Sequence, residues 1–182
     1  ALDIATSVDE VVHEDKLRCG EPVMDPGGGG INVARAIGEM GGRAKALVAL
    51  AGFHGQQFLD LLSNEPLIPE VFGIRGETRL SFNVTDRSNG EQFRFLMPGP
   101  RWTADMAQSA LDAIARATPL GGYVVLSGSQ PPGVPVHFPT NLAAVVEERN
   151  ARLILDTSGA PLKALLNVGS ARQHVLRLDG AE

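Results

Sequence analysis

A chain of 182 residues, 43% hydrophobic and 20% charged, can bury one sizeable core and has the balance of an ordinary water-soluble globular protein. Its formal net charge of −5 argues against nucleic acid or an anionic membrane surface as the main partner, while leaving room for a local basic pocket that takes a small phosphate. A single cysteine, Cys19, excludes an internal disulfide and favours a reducing, cytoplasmic setting, and His13, His54, His137 and His174 lie too far apart to show metal-ligand spacing.

In chain order, residues 6–24 read as short extended segments: Val8, Val11 and Val12 are interspersed with polar residues, and Lys16-Leu17-Arg18-Cys19 alternates. After the glycine-rich run Asp25-Pro26-Gly27-Gly28-Gly29-Gly30, the spacing predicts a helix from Ile31 to Met40, with Val33, Ile37 and Met40 on one side. Gly41-Gly42 ends it. Ala44 to Ala51 suits a strand buried on both faces, and Gln56 to Leu62 a helix. Val71 to Ile74, Arg79 to Val84 and Gln92 to Met97 read as strands, the last two joined by a Ser88-Asn89-Gly90 turn.

Thr103 can cap a helix running to about Ala117, with Met106, Ala110, Ile114 and Ala117 on one face. Tyr123 to Leu126 is an apolar strand that ends in Ser127-Gly128-Ser129-Gln130-Pro131-Pro132-Gly133. A helix near Thr140 to Arg149, a strand at Arg152 to Asp156, a short helix from Pro161 to Leu166 and a strand at His174 to Leu178 complete the pattern. No apolar run approaches the roughly 18 residues of a membrane span, and residues 1–20 carry charge throughout, unlike a signal peptide. Both chain ends, Ala1-Leu2-Asp3 and Gly180-Ala181-Glu182, read as cut.

Strands alternating with helices in the second half predict a mostly parallel sheet wrapped by helices. Segments 6–24 and 71–98 break that rhythm and are expected to form a small β layer or lid over one edge. Open α/β sheets bind ligands beyond the carboxyl ends of their strands, which makes Ser129 and Asp156 site candidates by position; turn and cap chemistry explains Asp156 equally well.

The glycine block is the most specific local signal. Four bare residues where a loop becomes a helix allow close backbone approach, and the helix start offers unpaired N–H groups and partial positive charge to a polyol or anion. Asn32 would sit in the first turn with its amide available to a hydroxyl. A plain flexible turn accounts for the glycines equally well. A P-loop is excluded because Ile31 and Asn32 stand where Lys and Ser/Thr are needed. The dinucleotide fingerprint is excluded because Asn32 and Val33 stand where its last small residue belongs.

Taken together, Lys16-Leu17-Arg18-Cys19, Pro26 to Ile37, Gly90-Glu91-Gln92-Phe93-Arg94-Phe95, Met97-Pro98-Gly99 and Ser127 to Gly133 strongly resemble the PfkB, or ribokinase-like, sugar kinases, and most of all their ATP-dependent 6-phosphofructokinase branch. The resemblance runs over nearly the whole chain. It implies an α/β fold, a three-layer α/β/α core with a small β-sheet lid that often forms a homodimer interface. Residues 1–182 would be one partial ribokinase-like domain, with lid segments at about 6–24 and 71–98. It also implies transfer of the ATP γ-phosphoryl group, with Mg²⁺, to fructose 6-phosphate, giving fructose 1,6-bisphosphate. Kinases of tagatose 6-phosphate or fructose 1-phosphate, and a non-catalytic sugar-phosphate-binding protein, are the alternatives.

Carried onto this sequence, the resemblance implies that Asp3 accepts bonds from sugar hydroxyls, Gly28 and Gly29 let the sugar lie against the backbone, and Asn32 bonds another hydroxyl. Lys16 and Arg79 would hold the substrate phosphate, Ser129 would reach the same group, and Arg18 would be offered to a neighbouring subunit. Arg94 is read as pairing within the lid. A dianion taken from water needs such charge-assisted donors, each worth on the order of 1.5–3 kcal/mol.

Two departures stand out. The family's catalytic aspartate lies in Gly-Ala-Gly-Asp, which does not occur in these residues, so the 182-residue chain is expected to bind without turning over. The family's Lys-Pro-Asn-x-x-Glu is matched by Arg177-Leu178-Asp179-Gly180-Ala181-Glu182, which keeps Glu182 near the Mg²⁺–nucleotide assembly and puts Asp179 in place of the amide. Of the family's first strand only the end, at Ala1-Leu2-Asp3, is expected.

Overall fold

The computed structural model describes residues 1–67, 69–167 and 173–177. Its elements run β1 (Leu2–Val8), β2 (Val23–Pro26), α1 (Gly29–Glu39), β3 (Ala46–Leu50), α2 (Gly52–Leu62), β4 (Pro69–Gly73), β5 (Leu80–Asp86), β6 (Gln92–Leu96), α3 (Ala104–Ala117), β7 (Tyr123–Ser127), α4 (Phe138–Glu147), β8 (Arg152–Asp156), α5 (Gly159–Asn167) and β9 (Val175–Arg177). They gather into two compact units. One holds Ala1–Gly27, the α2 region from Ala49 and Gly73–Pro100; the other holds Gly28–Val48, Pro69–Phe72 and the described residues from Arg101 onward.

The first unit is built on a four-stranded sheet in the order β2-β1-β5-β6. β1 runs antiparallel to β2 and parallel to β5, which sets Asp3 opposite Asp25 on one side and Ser81 on the other. The strand starts at Leu2 and runs seven residues, longer than the sequence suggests, because Leu2 and Val8 bury both of its ends. Residues 9–22 carry no helix or strand. The Lys16–Cys19 alternation is real, but those residues are exposed and have no sheet face to bury.

β5 and β6 form the expected hairpin, with Gly90 at φ 78° closing the turn onto the Asp86 carbonyl. β4 pairs with β3 in a separate two-stranded sheet.

Asp86 ties this unit together. Its carboxylate accepts the Ser88 hydroxyl at 2.6 Å and main-chain N–H, and also the N–H of Val11 at 2.9 Å, seventy-five residues away in sequence. The Ser88 hydroxyl, then the Val11 N–H, hold the carboxyl below its ordinary value. A depressed carboxylate pKa contributes stability that is complete above the unfolded value, near 4, and is lost as pH falls through the lower folded value. Urea midpoints measured from about pH 5 downward should therefore fall more steeply for the wild type than for Asp86→Asn.

α2 has Ala51 at its N-cap, which offers no side-chain acceptor. Glu77 supplies one from the connection before β5, accepting the N–H groups of Phe53 and His54 at 3.2 and 3.3 Å. Its carboxylate lies so close that a Cβ on Gly52, where φ is +63°, would sit 2.0 Å from it. Glu77→Ala should cost about 1 kcal/mol, read as a melting-point loss of about 2–4 °C.

In the second unit β7, β8 and β9 lie side by side and parallel, with Leu153 and Leu155 fully buried on β8. Thr103 caps α3 as expected, accepting the Met106 N–H at 3.2 Å. The fully buried face of α3 is Ala107, Ala110, Leu111 and Ala113: Ala110 of the expected stripe is in it, while Met106, Ile114 and Ala117 are half-buried at its edge.

α1 shows the same departure. Ile31 and Ala34 are buried, while Met40, expected on the inner face, is 79% exposed. In both helices alanines share the packed face with one large residue, Ile31 in α1 and Leu111 in α3, and bring backbone and neighbour close together. α1 also starts at Gly29, two residues before the predicted point, because Asn32 N–H already bonds the Gly28 carbonyl at 3.1 Å.

Candidate functional site

In the first unit, β1 delivers Asp3 to a half-buried position beside Gly27, which is itself buried. A Cβ on Gly27 would lie 1.9 Å from the Asp3 carboxylate, so the missing side chain is what leaves room for that carboxylate. Burial pushes the Asp3 carboxyl above its ordinary range and Asp25 pushes it further up, while Arg79 and a side-chain hydrogen bond from Ser81 pull it back.

Arg79 immediately precedes β5, accepts the Leu2 N–H at 2.9 Å on its main chain, and runs its side chain alongside Gly99. The structure therefore brings together Asp3, Gly27, Arg79 and a second carboxylate, Asp25. Asp25 was missed in the sequence because only the β1–β2 register places it opposite Asp3. Lys16 and Arg18 sit on the exposed segment between those two strands. Lys16 donates its main-chain N–H to the Asp15 carboxylate at 2.7 Å.

In the second unit, Gly28 caps α1 with φ +131°, a conformation open to glycine and costly to other residues. Gly29 follows, and a Cβ there would sit 2.0 Å from the Ser127 hydroxyl. Asn32 is exposed in the first turn, as expected, and its side-chain carbonyl accepts Arg35 Nη1 at 3.1 Å, which leaves the NH₂ end to face a hydroxyl. Ser129 lies exposed in the turn after β7.

Asp156 ends β8 in register with Ser127 on β7 and Arg177 on β9. Its Oδ2 accepts the Ser127 hydroxyl at 2.9 Å and its Oδ1 accepts Arg177 Nη1 at 3.0 Å. Ser127 and Arg177 were missed by sequence reasoning. The signal was present: both are the last polar residues of strands parallel to β8.

Asp179 and Glu182, the positions assigned to nucleotide and Mg²⁺, lie outside the described residues. Among the described residues no group of three His, Cys, Asp or Glu side chains is arranged to hold a metal ion. No described helix is long and apolar enough to cross a membrane.

A carboxylate lodged over a bare glycine, and a glycine-started helix at the carboxyl end of a parallel sheet, are arrangements suited to holding a polyol. Known proteins resemble the chain over most of its length. The chain is 42% identical over 163 residues to ATP-dependent 6-phosphofructokinase isozyme 2 of Mycobacterium tuberculosis, covering 90% of this chain and 48% of that protein. It is 38% identical over 170 residues to the isozyme 2 of Escherichia coli, covering 93% and 55%. A 1-phosphofructokinase of Xanthomonas campestris is 31% identical over 166 residues, covering 88% and 52%.

Among solved structures, phosphofructokinase-2 from Escherichia coli in complex with potassium superposes with a TM-score of 0.89 at 36% identity, covering all of this chain and 58% of that one. The same enzyme in complex with fructose-6-phosphate gives 0.85 at 38%, covering 93% and 55%. The fold is thus the ribokinase-like α/β fold, with mostly parallel strands, and the chain spans about half the length of the relatives it matches. The family model for pfkB family carbohydrate kinases matches residues 2–174, and on that match the chain belongs to the pfkB carbohydrate kinase family.

Proposed function

We propose that this chain is the sugar-phosphate-binding part of an ATP-dependent 6-phosphofructokinase. The observation that carries the reading is the Asp3 carboxylate, half-buried over Gly27 beside the Arg79 cation. This half-buried acceptor already takes the Ser81 side-chain hydrogen bond, and its remaining lone pairs suit further hydroxyl donors. Asp3 and Asn32 take sugar hydroxyls, Gly28 and Gly29 leave the backbone bare for the sugar, and Lys16, Arg79 and Ser129 take the phosphate. A guanidinium binds a phosphate through two parallel N–H bonds, whereas the ammonium acts as a point charge.

ATP with Mg²⁺ supplies the phosphoryl group when bound; Asp179 and Glu182 are the positions proposed for that assembly. The exposed Val23, Met24, Phe95 and Leu96 on the outer strands β2 and β6 support a homodimer through this sheet, with Arg18 offered to the partner. A cytoplasmic setting fits the lone Cys19, which is free.

Fructose 6-phosphate is the proposed substrate, on the identities of 42% and 38% to the isozyme 2 enzymes against 31% to the 1-phosphofructokinase. The protein expressed from its complete coding sequence should show a melting-point rise with fructose 6-phosphate. Ligand at 100 times its Kd adds about 2.7 kcal/mol. The rise should be smaller with tagatose 6-phosphate or fructose 1-phosphate, and the protein should form fructose 1,6-bisphosphate from ATP. No rise with any of the three at millimolar concentration overturns the reading. Binding without turnover converts it to the non-catalytic one.

A further inference from the structure

We infer that Asp156 is a positioning residue for the sugar-phosphate site, acting through Ser127; the inference rests on the function proposed above. Asp156 is the middle member of a row that crosses three parallel strand ends, Ser127–Asp156–Arg177. Each carboxylate oxygen is committed to one neighbour, Oδ2 to the Ser127 hydroxyl at 2.9 Å and Oδ1 to Arg177 at 3.0 Å. Its own main-chain carbonyl accepts the Gly128 N–H at 2.8 Å. The turn that begins at Ser127 and carries Ser129 is therefore clamped to β8 at two successive residues.

The clamp reaches α1 as well. The Ser127 hydroxyl occupies the space where a Gly29 side chain would be, 2.0 Å from the ideal Cβ position. A serine hydroxyl has one hydrogen to donate, and here it goes to Asp156, which fixes the rotamer. With Ser127 fixed, it sets how closely the first turn of α1 can approach at Gly29. One carboxylate thus sets the place of two proposed substrate contacts, Ser129 and the bare start of α1.

The ion pair adds little to stability. The Asp156 side chain is 33% exposed and that of Arg177 68% exposed, so water screens the pair and its net worth to the fold is small. Among the described residues, Asp156 is also the only carboxylate that bonds both of its strand neighbours in this sheet.

The test uses the protein expressed from its complete coding sequence and compares Asp156→Ala, Asp156→Asn and Ser127→Ala. Asp156→Ala and Ser127→Ala should each raise the KM for fructose 6-phosphate about five- to tenfold, the size of one coupled hydrogen bond, with kcat changed less. The double variant should be no worse than Asp156→Ala alone, because the two act as one unit. Asp156→Asn keeps an oxygen that accepts the Ser127 hydroxyl and should recover most of the loss.

Equal losses in Asp156→Asn and Asp156→Ala overturn the route through Ser127, since charge alone would then matter. An unchanged KM in Ser127→Ala overturns the inference while leaving the function intact, and it decides the matter even if Asp156→Ala does not fold. A wild-type protein with no response to any sugar phosphate overturns both.

Discussion

Gly29→Ala should weaken fructose 6-phosphate binding about 100-fold, while Gly30→Ala, the same chemical change one residue along, should leave it near the wild-type value. The added methyl at position 29 would meet the Ser127 hydroxyl at 2.0 Å, the Ser127 Cβ at 2.8 Å and its carbonyl carbon at 3.3 Å. No real contact is that short. Ser127 cannot swing away without breaking its bond to Asp156. The strain therefore falls on the start of α1, which must move away, and losing one or two of the hydrogen bonds it offers a ligand costs about 3 kcal/mol, or about 100-fold in affinity.

At Gly30 the new methyl meets nothing within 4 Å, and the backbone there is ordinary helix. Alanine is even the better helix former, by about 1 kcal/mol. Titration calorimetry on both variants, with circular dichroism to confirm folding, makes the comparison. Equal affinities would show that the start of α1 does not contact the sugar.

Asp3→Asn should separate binding from stability, in opposite directions. A bond from a hydroxyl to an ionised acceptor is worth about 1.5–3 kcal/mol, so loss of the charge should weaken sugar-phosphate binding about ten- to a hundredfold. The amide is nearly the same size, so the space over Gly27 stays filled. Stability at neutral pH should rise. Burial lifts the folded pKa of Asp3 above its unfolded value, so the ionised group destabilises the fold at any pH above the folded value. That handicap fades as pH falls through the folded value and is gone below the unfolded one. Asp3→Asn should therefore exceed the wild type in urea midpoint at about pH 7, with the gap closing toward about pH 4 and below. A variant that loses both stability and binding would mark Asp3 as structural.

The strands and the order of elements were legible in the sequence because the parallel strands are short apolar runs between helical segments, as at Tyr123–Leu126 and Arg152–Asp156. The Thr103 cap and the Asn89-Gly90 turn were legible because their chemistry is local. Helix faces were not. Met40 and Met106 were expected inside with Ala110; Ala110 is buried, but Met40 is exposed and Met106 half-buried, while Ile31, Ala34, Ala107 and Leu111 pack instead.

Asp3 and Gly29 could be named as candidates from the sequence, yet their surroundings could not. Asp25 beside Asp3, and Ser127 and Arg177 around Asp156, depend on which residue faces which across neighbouring strands. A strand's own sequence does not record its register with a partner far along the chain.

The segment from residue 9 to 22 leaves β1 and returns as β2, its neighbour, and Asp86 grips it near its root at Val11. Its two ends are thus fixed by the sheet whatever its length. Doubling such a loop costs only about 0.6 kcal/mol in closure entropy. The reach of Lys16 and Arg18 is therefore free to drift by insertion or deletion with the sheet undisturbed. Libraries seeking a new sugar preference have a natural place to vary length before any residue is exchanged.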